Sequence, residues 1–73
     1  MRDEYCGYFI ESNCRKKNNG RYSVEGTIIK ETINGTRKTE FNDIKTSLIL
    51  FEEAEKESIN FGRNLIRRNL IGF

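Results

Sequence analysis

From residue 51 to about residue 69 the apolar positions recur every three or four residues. Stepped at about 100° each, Phe51, Ala54, Ser58, Phe61, Gly62, Leu65 and Ile66 fall on one half of a helical wheel, with Ile59 and Leu70 at its margin. The other half carries Glu52, Glu53, Lys56, Glu57, Asn60, Arg63, Asn64, Arg67 and Arg68, and Glu55 alone breaks the division. No proline interrupts the run. Acidic residues crowd its start and arginines its end, an order that complements the helix dipole by about 0.3–1 kcal/mol per exposed charge. Glu52 and Lys56 add an i,i+4 pair worth roughly 0.2–0.5 kcal/mol. The spacing predicts one amphipathic helix, and the rest of the chain must pack against it.

Ahead of that helix the period shortens to two. Residues 5–12 (YCGYFIES) read as a strand with Cys6, Tyr8 and Ile10 on one face and Tyr5, Gly7 and Phe9 on the other. Residues 13–20 (NCRKKNNG) read as a turn or loop, and residues 21–33 as the longest strand, with Tyr22, Val24 and Ile28 opposed to Ser23, Glu25 and Thr27. Gly26 in mid-strand predicts a bulge or the close approach of a large neighbour. Asn34-Gly35 is the strongest hairpin signal, and the more polar residues 36–41 should return antiparallel, with Lys38 and Glu40 suited to a solvated face or a protected edge. Residues 42–50 read as a loop holding a brief strand. The expected architecture is a single α+β domain over residues 1–73: a small antiparallel meander of three or four strands, then one C-terminal amphipathic helix packed on one face.

Composition narrows the function classes. Seventy-three residues allow one core, and a chain this short buries only around 60% of its unfolded surface, which raises the expectation of self-association. A third of the residues are charged and mean hydropathy is −0.71, yet eight aromatics at regular spacing argue against disorder. With no long apolar run and no apolar leader at the start, a cytoplasmic location without membrane contact is the expectation. There is no histidine, and the two cysteines, Cys6 and Cys14, form no CxxC pair. Both cysteines are read as reduced, with Cys6 partly buried in its strand. No cofactor or metal is expected, since the acidic residues 52–57 splay around the helix and no Gly-rich phosphate loop occurs. The expected protein is therefore not an enzyme.

Two surfaces remain. One helix covers one sheet face, so Tyr5, Phe9 and Ile29, opposite Tyr8, Ile10, Val24 and Ile28, are expected to leave an apolar patch for a homodimer or another protein partner, unless Leu70, Ile71, Phe73 and residues 48–51 fold over it. The second candidate is a nucleic-acid surface built from the basic loop Arg15, Lys16 and Lys17 with Arg63 and Arg67 of the helix, where cations would seat on phosphates. A hairpin followed by Glu52-Glu53-Ala54 at the head of a helix also resembles the N-terminal part of HicB-type antitoxins, although those chains place a proline-containing segment before that helix and this chain has none. The resemblance implies a regulatory protein partner.

Overall fold

The computed structural model describes residues 1–71. Four strands, β1 (Arg2–Tyr5), β2 (Tyr8–Ser12), β3 (Tyr22–Thr32) and β4 (Gly35–Leu48), form one antiparallel sheet in the order β1-β2-β3-β4, and α1 (Phe51–Arg67) packs on one face. This is the expected meander followed by a helix, in its four-strand form. The fourth strand arises in an unexpected place. Residues 5–12 are not one strand: Cys6 and Gly7 turn the chain at φ 51° and 82°, Tyr5 pairs with Tyr8, and the polar residues before Tyr5 become β1. Two successive positive φ values are what a two-residue hairpin matched to strand twist requires. Cys6 is consequently exposed at a hairpin tip, and both cysteines are free.

The second departure lies in residues 42–50. No turn forms at Asn42 and Asp43; β4 runs on through an irregularity, where the register against β3 shifts between Ser23 and Glu25. The Asp43 carboxylate accepts from the Thr46 hydroxyl (2.7 Å) and the Lys45 amide (3.3 Å), satisfying that extra backbone locally. At the far end of the arm the turn sits one residue earlier than expected. Ile33 and Asn34 form the loop, Thr32 pairs with Gly35, and Gly35 carries the positive φ.

Cross-strand partners point the same way, so the register assigns the faces. Ile10 opposite Ile28, Ser12 opposite Gly26, and Gly26 opposite Phe41 lie under the helix, and Ile10, Val24, Ile28 and Ala54 have no exposed surface. Phe41, Ile59 and Ile71 complete the core, with Phe61 stacked on Phe41 at 5.4 Å between centroids. Two glycines bring the layers together. A Cβ on Gly26 would lie 2.7 Å from Phe41 Cζ and 2.2 Å from the Glu11 carbonyl oxygen, and one on Gly62 would lie 2.7 Å from Ile10 Cγ2. The large neighbour expected at Gly26 is thus Phe41.

The helix spans nearly the expected stretch. Asn69 ends it in the left-handed region at φ 58°, with the Asn69 amide on the Ile66 carbonyl (3.0 Å) and the Leu70 amide on that of Leu65 (2.9 Å), the paired bonds of a Schellman termination. Leu50 stands at the N-cap without a capping side chain. Glu55, the residue out of place on the wheel, accepts from the Met1 amino group (2.6 Å) and the Ser12 hydroxyl (3.0 Å). Phe51 departs from its apolar half: it is 44% exposed and meets the ring of Tyr22 edge-on.

Candidate interaction surface

The open face of the sheet holds Phe9 and Ile29 as direct cross-strand partners. Ile29 is nevertheless only 7% exposed, although among the described residues no helix or strand lies over it, and its neighbours on β2 and β4 are Phe9 and Lys38. Phe9 is half-buried, with the Arg2 guanidinium 4.5 Å above its ring and Arg2 held by Glu11 at 3.8 Å. Long charged side chains laid over apolar ones can account for this burial without a second layer. The open apolar surface is accordingly smaller than expected.

Tyr5 does not join Phe9 and Ile29. The turn at Cys6 and Gly7 inverts its direction relative to an unbroken strand, so it packs against the core on the helix side, with the Arg63 guanidinium 5.4 Å from its ring centroid. Of the segments expected to fold over the open face, Ile71 enters the core under the helix and Leu70 is exposed, while Phe73 lies outside the described residues.

The basic candidates divide between the two layers. Arg15 lies on the open side, donating Nε and Nη2 to Glu25 at 3.3 and 3.2 Å, while its amide donates to Ser23 Oγ at 2.8 Å. Ser23 in turn donates to Glu25 at 2.5 Å. Burial pushes the Glu25 carboxyl up, but the Ser23 hydrogen bond, the Arg15 hydrogen bond and charge, and the charge of Lys17 outweigh it and hold it below its ordinary range. Arg63 lies on the helix side and bonds Asp3, with Nε at 2.8 Å from Oδ2. Arg67 bonds Asn64. Lys16 forms an isolated bridge with Tyr22, and Lys17 opens the turn that closes at Gly20. Arg15 and Arg63 are thus already neutralised by carboxylates, on opposite sides of the molecule.

Shallow depressions accompany these groups, one lined by Asn13, Arg15, Glu25, Glu40 and Asn42, a second by Arg15, Lys16, Lys17, Glu25 and Ile44, and another by Tyr5, Glu57, Asn60, Arg63 and Arg67. Among the described residues, no group of three or more cysteine and acidic side chains is placed to hold a metal ion, and no helix is long and apolar enough to cross a membrane.

The apolar exposure that sequence reasoning missed lies along β4 and its exit. Ile33 is 100% exposed, Ile44 78%, Ile49 68% and Leu50 57%, and Phe51 follows. Ile33 immediately before Asn34-Gly35 was the readable signal, an apolar side chain in a turn where none is needed. No family model, no curated protein and no solved structure matches the chain. The likeness to HicB-type antitoxins therefore rests on Glu52-Glu53-Ala54 and its spacing alone.

Proposed function

We propose that this chain is a small non-enzymatic interaction domain that works by associating with protein, either a second copy of itself or another chain. One observation carries the reading. Of the seven large apolar side chains left exposed among the described residues, Ile33, Ile44, Ile49, Leu50 and Phe51 all fall on the β3–β4 turn, on β4 or just beyond it. Exposed apolar groups gathered along one margin of a small domain mark an interaction surface more often than those scattered singly. Phe9, half-buried on the adjoining open face beneath Arg2, extends the same surface with a charged rim. The antitoxin-like reading is the case in which the partner is a different protein.

Sedimentation equilibrium up to about 1 mM, where even weak association populates, tests this. The expected result is self-association, or capture of one specific partner chain, lost in Ile49→Ser/Leu50→Ser and weakened in Phe9→Ser. A strictly monomeric chain that also takes up no partner would sink the reading. Oligonucleotide binding at low salt, falling steeply as salt is added, would favour a nucleic-acid function instead.

A further inference from the structure

The two edges of the sheet are unequal. β1 offers four residues, whereas β4 has fourteen, and its residues 35–42 pair regularly with β3 on one side while no strand among the described residues lies on their other side. A row of backbone N–H and C=O groups left open in this way is a template for another strand. We infer that two copies of this chain join β4 to β4, antiparallel about a two-fold axis centred on Thr39, into one eight-stranded sheet with both helices on the same side. The inference rests on the association reading above and adds the partner and the register.

Charge along the edge selects that register. Lys38 and Glu40 both point to the open face, since their β3 partners are Ile29 and Thr27, and neither has an ion-pair partner among the described residues. Centring the pair on Thr39 sets Lys38 of each copy opposite Glu40 of the other. Moving the axis one residue either way, with both helices kept on one side, stacks Lys38 on Lys38 or Glu40 on Glu40. Opposite charges directly across a strand pair stabilise it, and like charges oppose it.

Closure supplies the second argument. Joining the short edge β1 to β4 instead would leave an open edge at each end and propagate without limit, whereas the two-fold junction closes.

The test uses Lys38→Glu and Glu40→Lys, both at exposed positions, with circular dichroism confirming the fold. Each single variant makes both cross-strand pairs like-charged, so its self-association is expected to weaken roughly tenfold or more. A one-to-one mixture of the two should recover wild-type association, because a copy carrying Lys38→Glu meets a copy carrying Glu40→Lys with opposite charges at both contacts. Failure of the mixture to recover, or single variants that associate like wild type, overturns the β4 junction. If association then still depends on Ile49 and Leu50, the association reading stands without it, and a monomeric wild-type chain removes the self-pairing outright.

Discussion

Ile28 and Ile29 are neighbours in the chain and point to opposite faces of the sheet, and they are buried by different means. Ile28 is enclosed by a second layer: it has no exposed surface and shares a cluster with Ile10, Phe41 and Ile59 beneath the helix. Ile29 retains 7% exposure on a face over which the described residues place no second layer, flanked across the strands by Phe9 and Lys38. A small sheet can thus hide an apolar residue either by close packing between layers or beneath the stems of its own long side chains. Only the first fixes shape.

The largest expected effect follows from that difference. Ile28→Ala should cost about 3–4 kcal/mol, because a cavity between packed layers cannot collapse, whereas Ile29→Ala should cost about half as much, its flexible neighbours closing over the gap. Equal losses in urea unfolding would break the distinction. Gly26→Val sharpens it from the other direction. The added side chain must displace both Phe41 and the Glu11 carbonyl, for about 2–3 kcal/mol, while Thr27→Val on the open face should cost under about 1 kcal/mol.

A pH titration compares polar groups on the two sides. Glu25 on the open side and Glu55 on the helix are both held below their ordinary value of 4.5. For Glu55 the hydrogen bond from the Met1 amino group is the main cause, burial opposes it, and Ser12 and the amino charge assist. A carboxylate whose native pKa is lowered contributes stability that is present above its unfolded value and lost as pH falls through the native one. Unfolding midpoints should therefore decline below about pH 4.5, and Glu25→Gln should remove part of the decline. A slope identical to wild type would detach Glu25 from it. The smallest effect belongs to Cys6, held at positive φ where a side chain other than Asn or Asp is disfavoured: Cys6→Asn should stabilise by about 0.5–1 kcal/mol, read as a raised urea midpoint.

The helix was legible because seventeen residues of periodic pattern average over single exceptions. Its worst misfit, Glu55, is settled by contacts with Met1 and Ser12 that no local pattern encodes. The hairpin at Cys6 and Gly7 was hidden because Cys-Gly is not a usual turn pair, and the apolar residues on both sides of it blend into one apparent strand. That single misreading also misplaced Tyr5. Residues 42–50 misled for the opposite reason: Asn42 and Asp43 are ordinary turn formers, yet continued pairing with β3 and the side-chain bonds of Asp43 absorb them into β4. The basic residues were legible individually, but their separation to two layers depends on Glu25 and Asp3 as partners. The exposed isoleucines are a property of the edge, and edges exist only once strand order is known.

The meander order carries a kinetic consequence. Each strand pairs with the one beside it in sequence, and pairs of residues close both the β1–β2 and β3–β4 turns. Little loop entropy must be lost before contacts form, and with no proline in the chain there is no slow isomerisation to wait for. Refolding from urea should proceed in one phase within about milliseconds to a second. The β3–β4 arm, the longest local pairing, is the natural place for it to begin.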